Sequence, residues 1–277
     1  MRSFCAALLL TTIGTTLAPA TALATVRAPL PAPRAAATTM SRVPEGWYRP
    51  LYSVAGARRV HVKAFALDRI PVTRGAFLQF VQAHPQWARG TVLRVFAQSR
   101  YLADWPSASS AGSAVDLERP VTGVSWFAAK AYCAAVGKRL PTLDEWELVA
   151  AASESRRDAS GDGAYRRRLL ALYAARKPGA PPSIANTPAN AYGVRGMHGL
   201  VWEWTLDFNS IVVADDSRAS GSGQDARDHH LFCASAAIGA SDVTDFPAFA
   251  RYAVRAGLTA RSTISGVGFR CAADHPV

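Results

Sequence analysis

Residues 120–151 read PVTGVSWFAAKAYCAAVGKRLPTLDEWELVAA, a pattern typical of two short helices joined by a tight basic turn. Ser125 is suited to cap the first helix, and Gly137 stands where a left-handed residue would end it. Thr142 and Glu145 have the spacing of a capping box at the start of the second helix. The apolar positions of the first helix recur at helical spacing and share one face: Trp126, Ala129, Cys133 and Val136. The stretch therefore predicts a rigid helix pair with a cysteine that points inward.

The first 24 residues are typical of a secretory signal peptide. Arg2 supplies a positive start, residues 4–20 are mostly apolar, and Ala22-Leu23-Ala24 matches a cleavage site. The apolar run is short and rich in threonine, which argues against its alternative, an uncleaved anchor. No later stretch is long and apolar enough to span a bilayer. We expect a mature protein that begins near Thr25, is periplasmic or secreted, and has no membrane span.

Composition narrows the class of protein further. The chain has 277 residues, of which 49% are hydrophobic and 18% charged, so it can bury a real core. Its formal net charge is +11. Export and the scattered basic residues argue against nucleic acid as a partner. Two other partners would explain such a charge: an acidic protein or an anionic membrane surface.

The order of elements predicts one domain after a linker. Residues 25–46 are rich in Pro, Ala and Thr and are typical of an extended linker, so we expect the single folded domain to cover 47–277. Residues 59–67 alternate like one strand. Thr73 is suited to cap a following helix, which ends before His84-Pro85. Short elements alternate irregularly with long loops, which argues against a parallel doubly wound sheet.

Three segments together resemble one family, the formylglycine-generating enzymes or sulfatase-modifying factors. They are residues 120–147, 192–207 (YGVRGMHGLVWEWTLD) and 266–274 (GVGFRCAAD), and residues 65–81 resemble the family's N-terminal entry. The resemblance implies an α+β fold with little regular secondary structure, related to C-type lectin-like domains. It also implies a disulfide between Cys133 and Cys271, which an exported protein can form.

The resemblance also shows what this chain lacks. Family members that make formylglycine bind copper(I) with two cysteines that precede the C-terminal GFRC, and soft thiolates suit that ion. Counted back from Cys271, the two positions fall near Asp242 and Pro247, and neither is a cysteine. The sequence therefore argues against copper bound in the two-cysteine mode and against formylglycine generation by that route.

A family calcium site is the second implied feature. Matched positions are Gly196, where the family has asparagine, and Gly199, Val201 and Glu203. We expect a calcium site at Gly199, Val201 and Glu203, although one carboxylate with backbone carbonyls is few ligands for an ion that takes six to eight oxygens. The alternative is that Glu203 is a buried carboxylate hydrogen-bonded to backbone.

The remaining candidates for catalysis lie in the region that departs from the family, residues 228–258. They comprise a possible thiolate and imidazole metal set and two carboxylates that suit acid and base work or oxygen ligation: Cys233, His229, His230, Asp242 and Asp245. The alternatives are a loop with surface histidines and a buried cysteine, and N-capping of a following helix by Thr244 or Asp245. Arg251, Arg255 and Arg270 are suited to hold a substrate carboxylate or to pair with neighbouring acids.

Within the family, exported members without the cysteine pair accompany copper nitrite reductases or mature the siderophore pyoverdine. The resemblance thus implies a periplasmic maturation or accessory factor that acts on, or binds, an exported protein or peptide-like product. Two alternatives stay open. One is a metal-dependent oxidoreductase with its site around Cys233, and the other is a lectin-like binding module without chemistry.

Overall fold

The computed structural model describes residues 39–52, 59–176, 179, 181–185, 187–209 and 240–274. The described strands are short and come in three sets. They are β1 (Met40–Val43), β2 (Gly46–Tyr48), β3 (Val60–Val62), β4 (Phe65–Asp68), β5 (Trp202–Glu203), β6 (Val267–Gly268) and β7 (Ala272–Ala273). The first sheet has the antiparallel order β1-β4-β7, β2 pairs antiparallel with β3, and β5 pairs parallel with β6.

Six α-helices are described, and most begin at a side-chain cap. They are α1 (Arg74–Ala83), α2 (Ala114–Leu117), α3 (Trp126–Ala135), α4 (Leu143–Ala150), α5 (Gly163–Ala174) and α6 (Phe246–Ala256), with a short 3-10 helix at Pro85–Trp87. Together with the strands they make a mixed α+β fold, as predicted.

The helix pair predicted from residues 120–151 is confirmed as α3 and α4. Ser125 accepts the amide hydrogen of Ala128, and Thr142 and Glu145 form a reciprocal capping box. Gly137 has φ +74°, which a residue with a Cβ adopts only at a cost, so glycine ends this helix cleanly. The predicted Thr73 cap of α1 is also present, because its hydroxyl accepts from the amide of Ala76.

A disulfide joins the helix pair to the residue that precedes the C-terminal strand, β7. Cys133 on α3 is bonded to Cys271, with the two Cα atoms 5.6 Å apart and both residues fully buried. Backbone hydrogen bonds connect the same segment to the first sheet and to the chain after it. The amide of Asp68, in β4, donates to the carbonyl of Cys271, and the amide of Val72 donates to the carbonyl of Phe269. The pairing implied by the resemblance is therefore confirmed, and it lies in the largest apolar cluster of the core.

The structure corrects two boundaries. Residues 40–43, which were predicted to belong to the linker, form β1 and pair with Phe65–Asp68, so within the described residues regular structure is already present before Trp47. The single strand predicted over 59–67 is two strands, β3 and β4, which belong to different sheets. Both errors have one cause: partners distant in the sequence decide strand formation more than local composition does. The predicted signal peptide, residues 1–24, lies outside the described residues.

Candidate functional site

A cavity of about 170 Å³ lies at the start of α6, and we call it the α6 cavity. The chain after β2, the end of α4, the first half of α5 and the start of α6 form its walls. Eight charged side chains line it, four arginines and four acids: Arg49, Arg59, Arg166, Arg251, Glu147, Asp158, Asp242 and Asp245. The region of the sequence that departs from the family thus contributes one wall of a polar cavity.

The structure brings the predicted residues Asp242 and Asp245 together at this wall. Asp242 accepts from the Nη2 of Arg166 at 2.6 Å and from the hydroxyl of Thr244 at 2.6 Å. The hydroxyl hydrogen bond and the Arg166 charge lower the pKa of Asp242 to about 2. Asp245 caps α6 by accepting from the amide of Ala248 at 3.0 Å, so the N-cap alternative is confirmed. Both carboxylates hold the start of α6, and an acid or base role for them stays a prediction.

The floor of the cavity is a buried carboxylate with two arginine partners. Glu147 on α4 accepts from Nε and Nη2 of Arg251, at 3.1 and 2.7 Å, and from Nη1 of Arg255 at 2.7 Å. All three residues are buried. Burial alone raises the pKa of Glu147, but the two guanidinium charges outweigh it and lower the pKa to about 2. Glu147 is therefore ionised, and the trio carries one excess positive charge.

A neutral histidine lies beside this trio. The Nε2 of His198 is 2.9 Å from the carbonyl of Ala150, and Nδ1 is 2.8 Å from the hydroxyl of Tyr173. Burial, aided by the charge of Arg251, lowers the pKa of His198 to about 3. Because a carbonyl only accepts, Nε2 donates to Ala150 and Nδ1 accepts from Tyr173. These two partners therefore select the tautomer of His198 that carries its proton on Nε2.

A second buried carboxylate occupies the predicted calcium position. Both oxygens of Glu203 are engaged, by Nε and Nη2 of Arg270 and by Nε1 of Trp146, each at 2.8 Å. A guanidinium in direct contact repels a dication, and Gly199 and Val201 offer only backbone carbonyls. The set does not fit calcium through this carboxylate. Glu203 is buried, as the alternative predicted, but the backbone partners predicted for it were wrong, because it accepts from side chains.

Gly196, the position where the family has asparagine, is constrained by packing. Its φ is +66°, and a Cβ placed there would lie 2.3 Å from a methyl carbon of Leu200. Glycine suits this position because the backbone is left-handed and a Cβ would require the Leu200 side chain to shift.

The two positions expected for the copper-binding pair do not suit that ion. Asp242 is a hard oxygen donor already paired with Arg166, and Pro247 lies in the first turn of α6 without a donor atom. The cysteines within the described residues are Cys133 and Cys271, which are joined to each other. In the part of the chain that the structure describes, no group of three His, Cys, Asp or Glu is placed to hold a metal. Cys233, His229 and His230 lie outside the described residues, so their roles stay predictions.

Sequence reasoning missed two members of the site. Arg166 reaches the start of α6 and Glu147 pairs with Arg251, and neither was among the predicted site residues. The sequence did contain a signal for a shared acidic partner. Arg251 and Arg255 are four residues apart on one helix, so their guanidinium groups can contact the same carboxylate. Of the two roles predicted for Arg251, Arg255 and Arg270, the structure shows the pairing with internal acids.

The described residues form a mixed fold with short strands, in which a disulfide links an inner helix to the residue before the C-terminal strand. These are features that the resemblance to the formylglycine-generating enzymes implies. Residues 26–275 match the model of the sulfatase-modifying factor enzyme 1-like domain. The chain therefore belongs to this family.

Individual relatives agree with this assignment. The chain is 31% identical over 255 residues to the inactive C-alpha-formylglycine-generating enzyme 2 of Bos taurus, covering 78% of this chain and 79% of that one. It is 28% identical over 295 residues to the formylglycine-generating enzyme of Thermomonospora curvata, covering 89% and 97%. Among solved structures, CarF is similar with a TM-score of 0.47 and 17% identity, covering 86% of this chain and 98% of CarF.

Proposed function

We propose that this protein is an exported maturation or accessory factor that binds another exported protein, or a peptide-like product, at the α6 cavity. One observation carries the proposal: the positions expected for the family's copper-binding cysteines hold Asp242, which lines a polar cavity, and Pro247, which lies in the first turn of α6. Similarity to a relative whose name calls it inactive supports the same reading. Formylglycine generation with a two-cysteine copper site is not part of this proposal.

The charges of the cavity suit a peptide-like ligand. Arg49 and Arg59 are exposed lining residues, whereas Arg166 and Arg251 are already paired with acids. The exposed guanidinium groups are suited to carboxylates and to main-chain carbonyls of a client. The excess positive charge on the Glu147 trio, at the floor, adds to the attraction for an anionic group.

Site-directed photocrosslinking tests the proposal. A photoreactive residue in place of Ser160, which lines the cavity, is compared with one in place of Val115, which is 63% exposed on α2. We expect one exported protein or peptide product to be captured from position 160 and not from position 115. Capture of nothing, or equal capture of the same species from both positions, would overturn the proposal.

Metal analysis separates this function from the alternative oxidoreductase around Cys233. The accessory role predicts no stoichiometric copper, iron or zinc in the purified protein, and client capture that survives Cys233→Ala. Loss of capture together with loss of a bound metal in that variant would favour the oxidoreductase. N-terminal sequencing of the protein from the periplasm or medium tests export, for which a start near Thr25 is expected.

A further inference from the structure

Two neighbouring loops carry exposed apolar side chains beside exposed arginines. The apolar members are Leu93, Val95, Phe96 and Ile264, which are 63%, 62%, 37% and 49% exposed. The basic members are Arg94, Arg100 and Arg261, all exposed. We call these seven residues the arginine–apolar surface.

Backbone hydrogen bonds hold the two loops together. The amide of Gln98 donates to the carbonyl of Arg261 at 3.0 Å, and the amide of Thr263 donates to the side chain of Gln98. Phe96 packs on Trp87 and Phe127, with ring centroids 5.7 and 5.4 Å away. The exposed side chains therefore stand on a fixed base and are presented together.

All the charged side chains of this surface are positive. Residues 85–103 and 257–268 contain no Asp or Glu. Among the described residues, no ion pair involves Arg94, Arg100 or Arg261. Three guanidinium groups are thus available to an anionic partner, next to aliphatic side chains that lose hydration if they are covered.

We propose that the arginine–apolar surface binds the face of an anionic lipid bilayer, and so holds the protein at a membrane without spanning it. Arginines pair with lipid phosphates while Leu93, Val95 and Ile264 enter the boundary between headgroups and acyl chains. A bilayer offers a partner to both kinds of side chain, because its phosphates suit the arginines and the hydrocarbon beneath them suits the apolar residues. None of the helices in the described ranges is long and apolar enough to cross a membrane, so this contact would be peripheral.

Vesicle sedimentation tests the proposal. The purified protein is mixed with vesicles of equal parts phosphatidylglycerol and phosphatidylcholine, or of phosphatidylcholine alone, and its N-terminus is sequenced to record whether residues 1–24 are present. We expect binding to the anionic vesicles that weakens as salt rises from about 0.05 M to about 0.5 M. Arg94→Gln/Arg100→Gln/Arg261→Gln should lower the partition coefficient about a hundredfold, since each arginine contributes about fivefold. Leu93→Ser/Val95→Ser should lower it about tenfold or more.

Two control variants distinguish binding through this surface from general attraction by the net charge of +11. Arg42→Gln/Lys63→Gln/Arg167→Gln removes three exposed charges elsewhere, and Val115→Ser removes an equally exposed aliphatic side chain. We expect both controls to bind within about threefold of the wild-type protein. No binding to the anionic vesicles, or an equal loss in the control triple variant, would overturn the proposal. If the wild-type protein does not bind the vesicles but binds an acidic peptide, the surface is assigned to a protein partner instead.

Discussion

Two of the buried carboxylates, Glu203 and Glu147, differ in how many arginines they face. Glu203 has one, Arg270, and lies near the disulfide with its side chain fully inaccessible. Glu147 has two, Arg251 and Arg255, and lines the α6 cavity. The first site balances its charge inside the core, whereas the second keeps an excess positive charge beside a cavity. We therefore expect the Glu203 region to maintain the fold, and the proposed ligand of the α6 cavity to interact with the Glu147 region.

The largest expected effect concerns the disulfide in the Glu203 region. Cys133→Ser/Cys271→Ser removes a link between residues 138 apart, for which the chain-entropy model gives a loss of about 5 kcal/mol in the free energy of unfolding. Urea denaturation of the variant measures this. A loss below about 1 kcal/mol would show that the Glu203 region does not depend on its covalent link.

Removing single arginines compares the two sites directly. Arg270→Met leaves Glu203 buried without a cation and should cost about 3–5 kcal/mol of unfolding free energy. Arg255→Met leaves Glu147 with Arg251 and keeps an apolar stem against Trp146, so it should cost about 1 kcal/mol or less. Equal losses in the two variants, measured by urea denaturation, would remove the distinction between the sites.

A pH dependence should come from the Glu147 region. His198 has a pKa of about 3 in the folded protein and about 6.5 when unfolded, so the unfolded state takes up the proton first as pH falls. The unfolding free energy should therefore be lost at about 1.4 kcal/mol per pH unit below about pH 6.5.

Glu147 adds to this loss at lower pH. Its pKa is about 2 when folded, against 4.5 as the ordinary value, so its contribution is present above about pH 4.5 and is lost as pH falls towards 2. In His198→Gln the slope between about pH 6.5 and 4.5 should flatten. Denaturation curves at several pH values measure both slopes, and an unchanged slope in that variant would contradict the assignment.

The smallest effect separates two roles of Asp245. Asp245→Ala removes the α6 cap and should cost about 1 kcal/mol, whereas Asp245→Asn keeps an acceptor and should be nearly neutral. Thermal or urea denaturation distinguishes them. If client capture at position 160 falls in Asp245→Asn while stability is unchanged, the carboxylate has a role at the cavity beyond capping.

Local signals explain which parts of the fold were predictable. The caps at Thr73, Ser125 and Thr142 and the turn at Gly137 depend on residues within four positions, so the sequence shows them directly. β1 was assigned to a linker because its stability comes from pairing with Phe65–Asp68. A strand's partner is not visible in its own composition.

The candidate site was less predictable for the same reason. Asp242 and Asp245 were singled out because they lie in the segment that departs from the family, and the structure puts both at the α6 cavity. Arg166 and Glu147 are 76 and 104 residues from their respective partners, Asp242 and Arg251, so no local pattern assigned them.

By itself, the sequence determined the helix pair over 120–151 and, through the family resemblance, the α+β class, the missing cysteine pair and the Cys133–Cys271 bond. These follow from short-range spacing and from residue identities in fixed order. Only the tertiary structure decided that Glu203 pairs with Arg270 instead of offering a free carboxylate to calcium, and that Glu147 collects two arginines beneath a cavity. Burial and the approach of distant helices set the charge of a site, and neither is encoded in the local pattern of residues.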